Sequence, residues 1–449
     1  MTALTVGLDI GTTSVKGVAV DDDGNIVARS RIPHRVLVPE PDLLEHDADA
    51  AWRRGPRRAL GALGRLDMDA IAVSAMVPSL TAVNRQGRPI SPGLLYGDRR
   101  GRTAHAAQGP GADGEAVQFL RWSAAAAPGA AGYWSAPAVA SRALGGDAVL
   151  DFGVAFTTAP LFGRDGWDPE ICASCGIRPD QLPRVEMMGA PIGRIGGDGP
   201  LLATGSVDAM CEQLVAAADE PGDVHVLCGT TLIAWGVLDE WREVDGLWTI
   251  PHTAPGRSLI GGASNAGGMF LSWVERAWGR PSRGETVDPG NVPVWLPYLR
   301  GERTPYHDPS LRAALHDLDL THGPASIRRA AWETPGFVVR HLVERSGVIP
   351  ERIVATGGGT RVDAWMQGLA DATNLPVHVS AVAEGAAQGA AFLARVAAGL
   401  ESNMLDARRW ARTGRIVEPD ARWVGPCESR YRRFRELSAA AAGSTRTLP

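Results

Sequence analysis

The chain has 449 residues, of which 45% are hydrophobic and 21% charged, values typical of a globular protein with two or three domains. Its formal net charge of -5 gives no reason to expect nucleic acid or an anionic membrane as a partner. No apolar stretch approaches the roughly 20 residues that span a bilayer, and the N-terminus lacks the pattern of an export signal.

The N-terminal segment predicts a strand, a turn and a second strand. A strand over Leu4–Ile10 runs into Gly-Thr-Thr at Gly11–Thr13, and the residues 15–20 are again mostly β-branched or apolar. An Asp-Gly turn at Asp23–Gly24 leads to a third strand, Asn25–Arg29. A Walker loop or a Rossmann turn would lead into a helix instead, and no Gly-Lys-Ser/Thr closes this loop.

The remainder of the first half alternates between helices and strands, with a peripheral region of loops and short helices at 106–146. A turn signal at Glu220–Asp223 predicts a domain boundary. The predicted elements are a helix near Asp49–Leu63, a strand at Ala70–Ala75, a strand at Leu201–Thr204 and a helix from Ser206, a possible N-cap, to Asp219.

The second half begins as the first does. VHVLCGTTLIAWGVL is again strand, Gly-Thr-Thr at Gly229–Thr231, and strand, about half the chain length after the first copy, which indicates an internal duplication. Further on, a strand, the glycine run Gly357–Gly359, a helix and a strand follow one another. That helix has Val362, Trp365, Met366 and Leu369 on one face. A tail helix is predicted over Ser429–Ala442, with Ser429 as a possible N-cap and a frayed end after it.

Each candidate site residue has an alternative interpretation. A Gly-Thr-Thr turn can aim backbone N–H groups and hydroxyls at phosphate, but alone it is more often a plain hairpin turn. Asp9, just before the first turn, can hold Mg²⁺ directly or through water. Lys16 alternates away along its strand, which favours a solvated side chain. Gly357–Gly359 lies where an open α/β sheet binds ligands, or is only a connector. Asp208, in the first turn of a helix, is locally explained by helix stability.

The cysteines favour a reducing compartment. There are five, few and odd in number, as expected in the cytoplasm. Cys172 and Cys175 form a C-x-x-C, but no second pair completes a zinc site, so two ordinary buried or half-buried cysteines are expected.

Several stretches, in order, resemble the FGGY family of carbohydrate kinases. Asp-Ile-Gly-Thr-Thr at 9–13, Asp208 before the boundary and Gly-Thr-Thr after it carry the first part of the resemblance. The second half adds LPYLRGERTPYHDP (296–309), IRRAAWETPGF (327–337), TGGGTRVDAWMQGLADATNLPV (356–377) and AEGAAQGAAFLA (383–394). Together these stretches cover both halves and most of the chain, and within the family they look most like the xylulose kinases.

The resemblance implies an α/β fold with two ribonuclease-H-like domains of the actin-like ATPase superfamily around an interdomain cleft. Residues 1–219 would form the sugar-binding domain, and residues 222–449 the nucleotide-binding domain with the tail helix. ATP and Mg²⁺ would be the cofactors. The implied reaction is transfer of the γ-phosphoryl group of ATP to a hydroxyl of a small ketose or polyol, with lobe closure excluding water.

The resemblance also implies residue roles. Asp208 would be the base that receives the sugar proton, would contact the sugar and would share the metal site with Asp9. ATP contacts are expected from Gly11, Thr12, Thr13, Lys16, Gly229, Thr230, Thr231, Gly357, Gly358 and Gly359. Sugar contacts are expected from Met76, Val77 and Asp98. Glu302, Arg303 and Glu333 match family positions too, where structural salt bridges are expected rather than chemistry.

The departures from the family pattern lie at the sugar end. Met-His-Gly is replaced by Met76-Val77-Pro78, Trp-Asn-Asp-x-Arg by Tyr96–Arg100, and Pro-Lys-x-x-Trp by Ala136–Ala140. ATP handling looks kept and sugar recognition looks changed. The alternative is an inactive or non-kinase actin-like ATPase, a nucleotide-driven switch or a sugar-binding protein. The expected partners are a small sugar or polyol, without nucleic acid or membrane, and a homodimer is compatible with the resemblance.

Overall fold

The structure is a computed structural model that describes residues 3–101, 114–254, 256–282, 285–382 and 384–445. Its α-helices are α1 Gly55–Ala62, α2 Glu115–Ala126, α3 Ala136–Leu144, α4 Phe152–Phe156, α5 Pro169–Ser174, α6 Asp208–Leu214, α7 Gly268–Ala277, α8 Pro324–Ser346, α9 Asp363–Thr373, α10 Gly385–Ala397 and α11 Ala421–Thr445. A π-helical segment, Asp49–Arg54, leads into α1.

The strands fall into two large sheets and several small ones. They are β1 Thr5–Ile10, β2 Ser14–Val20, β3 Ile26–Pro33, β4 Glu45–His46, β5 Ala70–Ala75, β6 Ser79–Val83, β7 Gly93–Leu95, β8 Gly132–Trp134, β9 Val149–Asp151, β10 Phe162–Gly163, β11 Gly166–Trp167, β12 Arg184–Glu186, β13 Pro191–Arg194, β14 Leu201–Val207, β15 Asp223–Cys228, β16 Leu232–Leu238, β17 Trp248–Pro251, β18 Ser258–Ser264, β19 Val294–Leu296, β20 Ala314–His316, β21 Arg352–Thr356, β22 Val377–Ser380 and β23 Thr413–Val417.

The chain folds as two compact units. The first comprises Met1–Val215 and Glu384–Trp410, and the second comprises Ala216–Ala383 and Ala411–Pro449. The first boundary lies close to the turn at Glu220–Asp223. The units differ from the continuous ranges 1–219 and 222–449 mainly because the segment 384–410 packs with the first unit.

The first unit is built on a six-stranded sheet in the order β13-β14-β5-β1-β2-β3. The three central strands β14, β5 and β1 are parallel, whereas β2 and β3 continue from β1 as an antiparallel meander. Every residue of β1 and of β5 is buried, as expected for central strands covered on both faces.

Helix α10 packs against this sheet through glycines, which explains the small residues of AEGAAQGAAFLA. A Cβ at Gly7 of β1 would lie 1.7 Å from the carbonyl oxygen of Ala387, and one at Gly389 would lie 1.9 Å from that of Cys211 in α6. Helix and sheet backbones therefore approach more closely than any side chain would allow. In the sequence this stretch is notable only for its resemblance to the family, and the structure reveals its role in packing.

Substitution of Gly389 should be strongly destabilising. The Cβ of Gly389→Ala would collide with a backbone carbonyl, so α10 or α6 has to move, and we expect the free energy of unfolding to fall by about 2 kcal/mol or more. Gly61→Ala is the matched control, because an added Cβ there meets nothing within 4 Å in α1. It should be neutral or stabilising by up to about 1 kcal/mol. Equal denaturation midpoints for the two variants would contradict this account of α10.

The second unit repeats the arrangement of the first. Its seven-stranded sheet has the order β17-β18-β16-β15-β21-β22-β23. Strand β15 turns into antiparallel β16 and pairs in parallel with β21, which pairs in parallel with β22. This is the pattern of β1 with β2, β5 and β14 in the first unit, as the predicted duplication requires.

Several predicted elements have other boundaries in the structure. The third strand is longer than predicted and ends at Pro33. The predicted helix from Ser206 is wrong at both ends: Ser206 still belongs to β14 and is no N-cap, and α6 ends at Leu214. The tail helix begins at Ala421, so Ser429 lies inside it and does not cap it. Val362 precedes α9 and is exposed, whereas the other three predicted apolar residues of that face are buried.

Some predictions fall partly outside the described residues. The region 106–146 was expected to carry loops and short helices: its residues 106–113 lie outside, and the rest forms α2, β8 and α3. The end of the frayed tail, 446–449, also lies outside. All five cysteines are free and buried, as predicted for the C-x-x-C pair. Among the helices in the ranges described, none is long and apolar enough to cross a membrane.

Candidate active site

Strand register brings four predicted site residues of the first unit to one edge of the sheet. Ile10 of β1 and Val207 of β14 both pair with Ala75 of β5, on opposite sides of it. Asp9, Met76–Val77 and Asp208 therefore stand at the carboxyl ends of three adjacent parallel strands. This is the edge at which open α/β sheets bind ligands.

Asp9 is buried at the end of β1. The hydroxyl of Ser74, its register partner on β5, donates a hydrogen bond to Oδ1 at 3.2 Å. Burial, and after it the negative charge of Asp208, raise the pKa of Asp9 to about 7, against the opposing effects of Lys16 and the Ser74 hydrogen bond. The two carboxylates are thus close enough to influence each other electrostatically.

Asp208 is the first residue of α6 and is half-buried. Its Oδ1 accepts a hydrogen bond from the amide of Ala209 at 2.8 Å, and burial raises the pKa of its carboxyl group. Ser206, which the sequence suggested as the cap, donates instead to Oδ2 of Asp151 at 2.8 Å. Asp208 therefore begins its helix directly after a strand, without a side-chain cap before it.

Lys16 lies opposite Asp9 rather than in open solvent. The two residues are register partners of the antiparallel pair β1–β2, so their side chains share one face of the sheet. Lys16 Nζ is 2.9 Å from Glu384 Oε2, just before α10. Burial opposes the charge, but Glu384 and Asp9 outweigh it and raise the pKa of Lys16. The Lys16 side chain is 37% exposed, so it is partly solvated as expected, and the structure adds an ion-pair partner from the segment 384–410, far along the chain.

The first Gly-Thr-Thr turn is held by two histidines. The Nε2 atom of His34 lies 3.0 Å from the carbonyl oxygen of Gly11, and that of His46 lies 2.8 Å from the carbonyl oxygen of Thr12. Trp52 Nε1 donates to Nδ1 of His46 at 3.0 Å. Sequence reasoning missed these residues, because no local pattern links them to a turn more than 20 positions away.

The second Gly-Thr-Thr turn, in the second unit, is held by backbone hydrogen bonds. The amide of Gly268, at the start of α7, donates to the carbonyl of Gly229 at 2.9 Å, and that of Met269 donates to Thr230 at 3.1 Å. A Cβ at Gly267 would lie 2.5 Å from the backbone of Thr231, so only glycine permits this contact.

The glycine run follows the strand next to the second turn. Because β15 and β21 are parallel neighbours, Cys228 at the end of one lies close to Gly357–Gly359 at the end of the other. Gly357 has a φ of 87°, and a Cβ on it would lie 2.9 Å from the carbonyl oxygen of Cys228. A Cβ on Gly358 would meet nothing within 4 Å, so this glycine is open to a ligand.

The predicted sugar-contact residues have different surroundings. Met76 is buried, and its amide donates to the carbonyl of Ile10 at 3.2 Å. Val77 lines a small, mostly apolar pocket of about 30 Å³, together with Tyr133 and Leu150 among others. The end of β5 therefore presents apolar surface where the family pattern has a histidine.

Asp98 is fully buried and already bonded. Its Oδ1 accepts from Nε of Arg100 at 2.9 Å, and its Oδ2 accepts from Nη2 of the same guanidinium at 2.7 Å and from the amide of Leu44. Arg100 also pairs with Glu45 at 2.9 Å. A direct contact between Asp98 and a sugar would have to be added to these bonds, and it stays a prediction.

The other residues carried by the resemblance are in the second unit. Glu333 is buried in ion pairs with Arg329 and Arg430, each at 2.7 Å. Glu302 accepts from the Ser264 hydroxyl at 2.7 Å and from two backbone amides, and burial raises its pKa to about 7. The ion pairs of Glu333 fit the structural salt-bridge role expected for it. The contacts of Glu302 with Ser264 and the two amides are hydrogen bonds.

The donor set around Asp9 suits Mg²⁺ better than a cation bound wholly by protein. Within the described residues, no group of three or more His, Cys, Asp or Glu side chains is arranged to hold a metal ion. Asp9 and Asp208, two carboxylates at one edge of the sheet, fit Mg²⁺, because this ion commonly binds one or two carboxylates, keeps several waters and takes other ligands from phosphates.

Comparison with known proteins agrees with this architecture. The FGGY carbohydrate kinase N-terminal domain matches residues 4–111, and the corresponding C-terminal domain matches residues 224–398. The chain is 24% identical to a xylulose kinase of Escherichia coli, over 96% of this chain and 98% of that one. It is 27% identical to a glycerol kinase of Allorhizobium ampelinum, over 93% and 95% of the two chains. The structure of a gluconate kinase from Lactobacillus acidophilus superposes with a TM-score of 0.86 at 21% identity, covering 99% of each chain.

These findings define the class of protein. The fold is α/β, with two ribonuclease-H-like units of the actin-like ATPase type. The chain belongs to the FGGY family of carbohydrate kinases. The matched relatives are kinases, which favours a carbohydrate kinase over the inactive or switch-like alternative.

Proposed function

We propose that the chain transfers the γ-phosphoryl group of ATP to a hydroxyl of a small ketose or polyol, with Asp208 as the base. The observation that carries the assignment is the position of Asp208 and Asp9 at the same edge of the sheet, at the carboxyl ends of β14 and β1, the two parallel strands that flank β5. Burial raises the pKa of Asp208, which makes its carboxylate a better proton acceptor than that of an exposed aspartate.

The reaction would need positioning more than covalent chemistry. The acceptor oxygen forms a bond to the γ-phosphorus as the bond from phosphorus to the leaving oxygen of ADP breaks, and the acceptor proton passes to Asp208. Asp9 and Asp208 would hold Mg²⁺, which, when bound, neutralises charge on the phosphate oxygens. Lys16 is held on the face of Asp9 by Glu384 and would add a positive charge there.

The two Gly-Thr-Thr turns and the glycine run are proposed as nucleotide contacts. In each turn the carbonyls are occupied by other donors, which leaves amide and hydroxyl groups for phosphate oxygens. Gly358 would let a flat group approach the backbone. The five buried free cysteines fit a reducing compartment, and we infer a cytoplasmic location.

ADP release with and without a panel of sugars tests the proposed activity. A kinase should release ADP only when an acceptor is present, because water is excluded from the transfer. A nucleotide-driven switch would hydrolyse ATP at a rate independent of sugar. Sugar-independent hydrolysis, or no ADP release with any acceptor, would contradict the proposal.

D-xylulose should not be the best acceptor. The apolar Val77 stands at the end of β5, where the family pattern has a histidine, so a hydrogen bond to the sugar is lost and the surface favours another acceptor. We expect kcat/KM for D-xylulose to be at least about tenfold below that of the best acceptor. Steady-state kinetics with D-xylulose, D-ribulose, L-ribulose, glycerol and erythritol would decide it, and an optimum at D-xylulose would refute it.

A further inference from the structure

The first Gly-Thr-Thr turn has all three of its carbonyl oxygens bonded from outside. Nε2 of His34 bonds the carbonyl of Gly11, and Nε2 of His46 bonds that of Thr12. A carbonyl oxygen only accepts hydrogen bonds, so both Nε2 atoms carry a proton and donate it. The backbone amide of His34 donates to the carbonyl of Thr13 at 2.9 Å. The segment around two histidines thus fixes the turn from one side.

The ring of His46 is restricted to one protonation pattern. The indole N–H of Trp52 can only donate, so Nδ1 of His46, 3.0 Å away, must accept and carries no proton. The proton resides on Nε2, which faces Thr12. The side chains of His46 and Trp52 are fully buried. Burial, together with the neighbouring His34, lowers the pKa of His46 to about 4. At neutral pH the imidazole of His46 is therefore uncharged, with its one proton on Nε2, the donor to Thr12.

These bonds determine where the turn's amides point. In a trans peptide unit the C=O and the N–H point in opposite directions. Because the carbonyls of Gly11 and Thr12 point at the imidazoles, the N–H groups of Thr12 and Thr13 point away from them. The hydroxyl of Thr12 lies 3.0 Å from the Tyr96 hydroxyl, whereas the orientation of the amides is set by the carbonyl bonds of the same peptide units.

We propose that His34 and His46 are positioning residues that aim the amides of Thr12 and Thr13 at a phosphate group of the nucleotide. The proposal rests on the proposed kinase function, and it assigns no direct ligand contact to either imidazole. Trp52 acts indirectly: its hydrogen bond to Nδ1 fixes the tautomer of His46.

The second turn provides an internal comparison. There the carbonyls of Gly229 and Thr230 are bonded by the backbone amides of Gly268 and Met269, which no side-chain substitution removes. In the first turn, by contrast, the carbonyls of Gly11 and Thr12 are bonded by side chains. Substitution of the histidines should therefore weaken nucleotide binding without changing the second unit.

Substitutions of His34, which is only half-buried, give the most direct test. His34→Leu removes the side-chain donor, whereas His34→Gln keeps an N–H that can reach the same carbonyl. We expect the leucine variant to bind MgATP about tenfold more weakly by calorimetry and to raise the KM for ATP similarly, with the acceptor KM unchanged. The glutamine variant should stay within about threefold of the wild type. His46→Gln and Trp52→Phe repeat the test at the buried positions.

His341→Leu is the control, because it removes another buried imidazole, from α8 in the second unit. It should lower the melting temperature and leave MgATP binding alone. Unchanged affinity in folded His34→Leu, or ATP and acceptor constants that change together in proportion to melting temperature, would overturn the positioning role. Failure of the wild type to bind MgATP would overturn the proposed function itself, and the inference with it.

Discussion

Asp208→Asn should lower the acceptor-dependent turnover by roughly 10²–10⁴-fold while the protein still folds and binds MgATP. The amide keeps the shape of the side chain and its place at the start of α6. It loses the charge and the ability to take a proton. A residue that only stabilised its helix would cost a few tenths to about 1 kcal/mol in stability and leave turnover unchanged.

The measurement is acceptor-dependent ADP production beside a thermal melt of both proteins. Glu170→Gln is a matched control, because Glu170 also lies in the first turn of a short helix, α5, but on the surface. It should change neither turnover nor, beyond a few tenths of a kcal/mol, stability. An Asp208→Asn variant that retains more than about a tenth of wild-type turnover would exclude Asp208 as the base.

The part of this site that the sequence predicts is the part encoded locally. The strand Ala70–Ala75 and both Gly-Thr-Thr turns follow from short β-branched runs and turn residues, and the structure confirms them. Asp9 is a candidate from its position before the first turn, whereas Asp208 could be named as a site residue only through the resemblance, because helix stability explains it locally. Strand register then places them at the ends of two parallel strands on either side of β5, which no local pattern reveals.

The rest depends on contacts between distant segments. Ser206 has the features of an N-cap, but Asp151 accepts its hydroxyl hydrogen bond, so β14 continues to Val207 and the helix starts later. Glu384 reaches Lys16 only because α10 returns to the first unit. Such pairings override local preference, and a single sequence carries no signal for them.

Glu333→Ala should be among the most destabilising single substitutions in the second unit. The side chain is fully buried, and its two oxygens accept from Nε and Nη2 of Arg430 at 2.7 and 2.8 Å and from Nε of Arg329 at 2.7 Å. Truncation leaves a buried guanidinium without its counter-charge, and breaking a buried pair from one side costs about 3–5 kcal/mol.

A surface ion pair supplies the contrast that makes this prediction specific. Glu428, whose side chain is 42% exposed, pairs with Arg340 at 2.6 Å, and Glu428→Ala should cost no more than about 1 kcal/mol. Glu333→Ala should nevertheless retain most of its turnover at a temperature where it is folded, because no proposed step uses Glu333. Denaturant unfolding of both variants, with kinetics on the folded Glu333→Ala protein, separates the two roles. Stability near that of the wild type with turnover lost would assign Glu333 to the chemistry, because a carboxylate that only neutralises two buried arginines must affect folding first.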